Sequence, residues 1–374
     1  MNFSPLSAVC QLNMGQSPES STYNKCREGI PFFQGNADFG DRHPLERLWC
    51  SKPKKIAYEG DILISVRAPI GALNVADQRC CIGRGLASLH PSEHLDRDYL
   101  YYFLFSKEEY LKSKGTGSTF KAISKKQLED LLIPLPSILE QKKRSNILNK
   151  LWSNTIRRRE QLRKLDELVK CRFVEMFGDM KMADKGWTHM FLGDVCDVRD
   201  GTHDSPKYHA QGYPLITSKN VTRGVIDFTG CNMISEEEYV KICQRSKVNK
   251  GDIIMPMIGT VGCPVIVDTD AQFAIKNVAL IKFPYNSTLL NTFVKHLLLS
   301  SYFETEVIDK IRGGTQKFIS LTDIRQLKVY IPPMELQNAF ASFVQQLDKS
   351  RFAIQRSLEE TQKLFDSLMQ EYFS

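Results

Sequence analysis

The chain has 374 residues, with 50 Lys plus Arg against 43 Asp plus Glu, a formal charge of +7. Hydrophobic residues make up 42% and charged residues 25%, which excludes wholesale disorder and a collagen-like or disulfide-scaffold class. The length suits two or three domains at roughly 100–200 residues each, and the mild positive charge permits nucleic-acid binding without requiring it.

No run reaches the roughly 18 apolar residues of a membrane helix. The N-terminus, MNFSPLSAVC, has no basic region before an apolar stretch, so the expectation is a cytoplasmic protein without a signal peptide. Ten cysteines include no Cys-x-x-Cys pair, so reduced thiols are expected rather than a zinc or redox site.

Taken in chain order, the sequence is written twice. Gly60-Asp61-Ile62-Leu63 recurs as Gly251-Asp252-Ile253-Ile254. Each copy follows a polar, basic stretch and opens a short apolar run of strand character, bounded by Gly or Pro turns. Tyr99 to Phe105 follows Asp96-Arg97-Asp98 and reads as a buried helix, as does Leu290 to Leu299. Aromatic residues here could stack on bases, but apolar residues on every side favour core packing. Gly115 to Lys121 is echoed by Arg312 to Phe318, and Leu132-Ile133-Pro134-Leu135-Pro136 by Tyr330-Ile331-Pro332-Pro333. A glutamine follows each proline stop, Gln141 and Gln337, and then a long segment without Pro or Gly. Those segments end alike, in Glu175-Met176-Phe177 and Glu371-Tyr372-Phe373.

The expected organisation is therefore a globular unit over 1–136, a helix over 137–180, a second unit over 187–333 and a second helix over 334–374. In the first helix Ile138, Ile147, Leu148, Leu151, Ile156, Leu162, Leu165, Leu168, Val169 and Phe173 fall largely at three- and four-residue steps. That is one apolar stripe. Each segment can span about 60 Å as a helix, and a single stripe needs a partner. The other copy is the simplest one, packed antiparallel. The fold class expected is α+β: two globular α/β units, two long antiparallel coiled-coil-like helices, and an internal pseudo-two-fold repeat. The basic clusters Lys142-Lys143-Arg144, Arg157-Arg158-Arg159 and Arg163-Lys164 read first as a solvated face.

Catalytic and cofactor signatures are scarce. There is no P-loop, no complete dinucleotide glycine motif and no nucleophile elbow. His90-Pro91-Ser92-Glu93-His94 matches a zinc spacing, but that spacing needs a helix, and Pro91 points to a loop. Asp130 with Glu140-Gln141-Lys142 mimics a nuclease set, yet Pro134 and Pro136 intervene. Ile331-Pro332-Pro333-Met334 lacks the Asn or Asp that an adenine methyltransferase places before its prolines.

The ordered landmarks, with Arg67-Ala68-Pro69-Ile70-Gly71, Ile82-Gly83-Arg84-Gly85, Gly15-Gln16-Ser17-Pro18, Leu192-Gly193-Asp194-Val195-Cys196 and Ile319-Ser320, resemble the specificity (S) subunits of Type I restriction–modification systems. The resemblance covers essentially the whole chain. It implies that each globular unit is a target recognition domain reading half of a bipartite, asymmetric double-stranded DNA site. It implies that the helices set the gap between half-sites and dock two methyltransferase (M) subunits that methylate adenine at N6. A restriction (R) subunit completes the nuclease. S-adenosylmethionine, ATP and Mg then belong to those partners only, and this chain carries no cofactor, no metal and no catalytic residue. The alternative is a nuclease or methyltransferase with an unrecognised active site.

DNA-contacting residues are expected on loops beside the repeated turns: Gln16, Ser17, Arg67, Arg84 and Lys121 in the first unit, and Thr202, His203, Lys207, Lys219, Asn220, Lys276, Asn277 and Lys317 in the second. Arg and Lys suit guanine O6 and N7, and Asn and Gln suit adenine.

Overall fold

Gly60-Asp61 and Gly251-Asp252 open the same strand of two related sheets. The computed structural model describes residues 3–116, 121–181, 185–222, 224–258, 261–309 and 318–374, and its chain divides into residues 1–160 with 354–374 and residues 161–353. Both glycines are left-handed, with φ of 86° and 90°, a conformation that glycine adopts without steric cost. The aspartate that follows is buried. Its carboxylate accepts a backbone N–H three residues back, from Tyr58 at 2.9 Å or Asn249 at 2.7 Å. The same carboxylate meets a basic side chain on the neighbouring strand, His90 in the first unit and Lys282 in the second. The strands so launched, Ile62–Ser65 and Ile253–Pro256, are buried at every position, which is why their apolar runs are continuous.

The first unit has a four-stranded antiparallel sheet ordered Cys10–Met14, Leu86–Pro91, Ile62–Ser65, Leu73–Val75. The second orders Asp197–Asp200, Val278–Lys282, Ile253–Pro256, Val265–Ile266 in the same way. A second sheet in each contains one parallel pairing, Ile30–Phe33 with Cys80–Ile82 and Tyr213–Ile216 with Ala274–Ile275. A two-stranded ladder closes each unit, Phe3–Pro5 with Leu132–Pro134 and His189–Phe191 with Lys328–Tyr330. The repeat is thus present in the topology. The copies differ between these landmarks. Among the described residues the second sheet has five strands in the first unit and three in the second, and the second unit adds the helix Glu236–Ser246.

The aromatic run forms the helix Arg97–Ser106, with Tyr99, Tyr101 and Tyr102 buried. Tyr99 donates its hydroxyl to the Pro134 carbonyl at 3.0 Å, and Tyr102 donates to Asn149 Oδ1 at 2.8 Å. Its counterpart is Asn291–Leu298, which buries Phe293, Val294, Leu297 and Leu298.

Two long helices, Ile138–Phe177 and Met334–Phe373, have 40 residues each. Within the first unit, the start of one packs antiparallel on the end of the other. Trp152 lies 5.9 Å from Phe365, and the Arg144 guanidinium sits 4.7 Å over Tyr372. Within the second unit Phe173 lies 5.4 Å from Phe340, and Asp166 pairs with Arg351. Leu148, Val169 and Phe173 of the expected stripe are buried, whereas Ile138, Ile156 and Leu168 are exposed. A helix with 3.6 residues per turn rotates such a stripe away from any one neighbour over this length.

Gln141 and Gln337 explain why each proline stop is followed by glutamine. Both are fully buried in the first turn of a long helix. Gln141 Nε2 donates to the His94 and Pro136 carbonyls, and its Oε1 accepts from Asp96 N–H at 2.9 Å. Gln337 makes the same three bonds, to the carbonyls of Thr288 and Pro332 and from Leu290 N–H at 2.8 Å. Gln337→Leu keeps the volume but strands these backbone groups. It is expected to lower the unfolding free energy by about 2–4 kcal/mol, read from urea denaturation; a loss under about 1 kcal/mol would contradict the role given to this side chain.

His296, in the second unit, has its Nε2 shielded and without a hydrogen-bond partner among the described residues. Burial, with the Lys295 and Arg351 charges, pushes its pKa down to about 3. The unfolded chain takes up this proton near pH 6.5 and the folded chain does not. Stability therefore falls as pH drops from about 6.5 toward about 3, by up to about 1.4 kcal/mol per pH unit. His296→Leu is expected to flatten that slope in urea titrations between about pH 7 and pH 5. An unchanged slope would refute the assignment.

Candidate nucleic-acid interface

In the first unit the five expected residues are gathered at one end of the four-stranded sheet. Strand Cys10–Met14 runs directly into Gly15, whose N–H donates to Leu86 O at 2.9 Å, and Gln16 N–H donates to Ile82 O at 3.0 Å. The contact is too close for a side chain. A Cβ on Gly15 would lie 2.2 Å from the Gly83 carbonyl oxygen. Ser17 Oγ accepts from Arg84 N–H at 3.3 Å. Gly85 O accepts from Val66 N–H at 2.9 Å, which brings in Arg67, and Arg67 bridges to Ala122, the residue after Lys121. Gln16, Arg67, Arg84 and Lys121 are all exposed.

The second unit builds the same frame from other residues. Gly201 follows strand Asp197–Asp200 and donates to Val278 O at 3.0 Å, and Thr202 N–H donates to Ile275 O at 3.0 Å. A Cβ on Gly201 would lie 2.2 Å from the Ile275 carbonyl oxygen. Lys276 N–H donates to Ile216 O at 2.9 Å, as Gly83 N–H does to Phe33 O at 2.8 Å in the first unit. Asn277 is left-handed, with φ of 57°. Its Oδ1 lies 2.9 Å from His203 Nδ1, and His203 Nε2 lies 2.7 Å from Asp200 Oδ2. Lys276 Nζ donates to Ser205 Oγ at 2.7 Å. Thr202, His203, Lys276 and Asn277 therefore form one cluster. Lys219 borders it, because its neighbour Ser218 donates to Asn277 O at 3.4 Å.

Three expected residues stand apart. Asn220 spends its amide on a local turn, accepting from Thr217 N–H and Oγ1 and donating to Asp227 O. Lys207 is exposed on the segment after Asp204, and no described hydrogen bond or ion pair ties it to the cluster. Lys317 lies outside the described residues.

The fold also adds residues to the frame. Ile82 N–H donates to Lys55 O at 3.0 Å, so exposed Lys54 and Lys55 border the Gln16–Arg84 contact. Tyr23 is near enough that the Arg84 charge opposes the rise that burial imposes on its hydroxyl. In the second unit, buried Asp200 is ion-paired to Arg245 from the helix Glu236–Ser246. The lysine run Lys52-Pro53-Lys54-Lys55 is visible in the sequence; the Asp200–Arg245 pair, 45 residues apart, has no local signal.

The described residues contain no metal-holding group of His, Cys, Asp and Glu, and no helix among them is long and apolar enough to cross a membrane. His90 lies in a strand against Asp61 rather than on a helix with His94.

The model of the family described as Type I restriction modification DNA specificity domain matches residues 1–166 and 184–362. The chain belongs to this family. The family is one of DNA specificity domains, and the chain accordingly serves DNA sequence recognition. The MjaX specificity subunit assigned to a type I restriction enzyme of Methanocaldococcus jannaschii is 45% identical over 160 residues, 42% of this chain and 38% of that protein. The type I restriction enzyme MjaIX specificity subunit of the same organism is 27% identical over 359 residues, 88% of this chain and 80% of its own length. A crystal structure of the type I S subunit from M. genitalium aligns over 100% of this chain and 96% of that one, at a TM-score of 0.65 and 18% identity, a likeness of fold.

In this specificity subunit the two strand-end glycines keep the frame closed. Gly15→Ala is expected to raise exchange of the Gly15 and Gln16 amides about tenfold or more, by hydrogen–deuterium exchange. Gly35→Ala is the control, since nothing lies within 4 Å of a Cβ there. Equal exchange in both variants would show that the close approach is not holding the loop.

Proposed function

We propose that each unit reads one half of a bipartite, asymmetric DNA sequence through the loops gathered at the corresponding end of its four-stranded sheet. The observation that supports this is a shared backbone frame carrying different side chains. Gly15 and Gly201 take equivalent positions, but Gln16, Ser17 and Arg84 follow one and Thr202, His203, Lys276 and Asn277 the other. A common frame with exchanged side chains suits two readers of unlike half-sites. Exposed Arg67, Arg84 and Lys121, bordered by Lys54 and Lys55, suit phosphates and guanine edges. Lys207, Lys219 and Asn220 are outlying candidates on the same unit, with Asn220 holding its loop, and Lys317 is kept as a candidate from the sequence alone.

On this reading residues 1–136 and 187–333 are the target recognition domains. The helical segments 137–180 and 334–374 act as a coiled-coil-like spacer that fixes the gap between half-sites and docks two methyltransferase subunits. S-adenosylmethionine, ATP and Mg serve those subunits and a restriction subunit, and the complex works on DNA in the cytoplasm.

The experiment is a methylome. The chain is expressed with its methyltransferase partner in a methylation-free host, and N6-methyladenine is mapped by long-read sequencing, with the methyltransferase alone as control. A bipartite motif of fixed gap, present only with this chain, is expected. Arg84→Ala should relax one half of the motif and leave the other intact. No new motif from a stable complex would overturn the proposal.

A further inference from the structure

We propose that His203 is a positioning residue that fixes which end of the Asn277 side-chain amide faces outward, and so what the second unit offers to a base edge. The inference rests on the reading that loops 201–205 and 276–277 face DNA. Asn277 is fixed along its backbone. Its N–H donates to Thr202 O at 3.3 Å and its carbonyl accepts from Ser218 Oγ at 3.4 Å. The freedom left to it is an end-for-end turn of the amide.

That turn is tied to the imidazole. Both ring nitrogens face oxygens, Nε2 toward Asp200 Oδ2 at 2.7 Å and Nδ1 toward Asn277 Oδ1 at 2.9 Å. Asp200 is buried and held by Arg245, so its carboxylate is a fixed acceptor for Nε2–H. An imidazolium has a second N–H, at Nδ1, and needs a second acceptor. It then takes Asn277 Oδ1 and turns the NH2 outward. Neutral His203 keeps its proton on Nε2 and carries a lone pair at Nδ1. Asn277 must then donate its NH2 to the ring and turn Oδ1 outward. The outward end changes from donor to acceptor.

Guanine O6 and N7, thymine O4 and adenine N7 call for a donor, while the adenine N6 and cytosine N4 amino groups call for an acceptor, so cytosine alone offers nothing to a donor. The charged groups around the ring are Asp200, from the preceding strand, and Arg245, from the helix Glu236–Ser246. Lys276 is turned to Ser205. The bonds to Asn277 and Asp200 raise the His203 pKa above its ordinary value, and Arg245 opposes them. The donor-outward state is therefore expected to extend to higher pH than for a free histidine.

The test is selection from randomised DNA duplexes by the full chain with its methyltransferase partner, at about pH 6 and about pH 9. Wild type is expected to favour guanine or thymine at one position of one half-site at the lower pH. Enrichment should shift toward cytosine at the higher pH by at least about fivefold. His203→Gln should abolish the shift and leave the other half-site unchanged. Asn277→Gly, which tolerates the left-handed backbone, should abolish it too. A pH-independent wild-type preference, or a shift that persists in either variant, overturns the role of His203. Selection of no second half-site at either pH is a different result, and it overturns the reading of these loops as DNA-facing.

Discussion

The arrangement depends on a close approach of backbone to backbone at the end of each four-stranded sheet. The chain leaving the edge strand lies flat on the carbonyls of the turn before the next strand. Gly15 meets the Gly83 carbonyl and Gly201 meets the Ile275 carbonyl, and no side chain fits in either contact. Because the contact is made by backbone alone, it fixes loop position without fixing loop chemistry. Neighbouring side chains are then free to differ between the copies, and they do.

The difference has a physical character. The first unit presents exposed Arg67, Arg84 and Lys121, residues suited to charge and to guanine. The second ties its polar groups to one another: Asp200 to Arg245, His203 to Asp200 and Asn277, Lys276 to Ser205. Its donors and acceptors are oriented before any ligand arrives, which lowers the ordering cost of binding. The frames match again at the buried glutamines, which tie the start of each long helix to the turn just ahead of the earlier helix Arg97–Ser106 or Asn291–Leu298.

Much of this was legible in the sequence, because duplication repeats what the backbone demands. The Gly-Asp pairs mark left-handed turns, the proline stops precede buried glutamines, and the aromatic run from Tyr99 is core. In the first unit all five expected residues lie near one another, because Gly15, Gly83 and Gly85 let the backbone segments that carry Gln16, Ser17 and Arg84 approach closely and the bridge from Arg67 to Ala122 brings in Lys121. The second unit is less legible in the sequence. The Asn220 amide, suited by type to adenine, closes a turn with Thr217, a local role that its sequence context does not announce. The Asp200–Arg245 pair has no local signature, because it joins two elements 45 residues apart in sequence. The helix stripe overstated burial at Ile138, Ile156 and Leu168, since periodicity reports a face and not what covers it.

The most direct test of this account is hydrogen–deuterium exchange of the full chain with its methyltransferase partner, on its mapped target duplex and on an unrelated duplex. The account predicts target-dependent protection at residues 15–17, 83–85, 67 and 121–122 in the first unit, and at 201–205 and 276–277 in the second. Protection at the opposite ends of the sheets instead, around Gly60 and Gly251, with these loops unchanged, would contradict it.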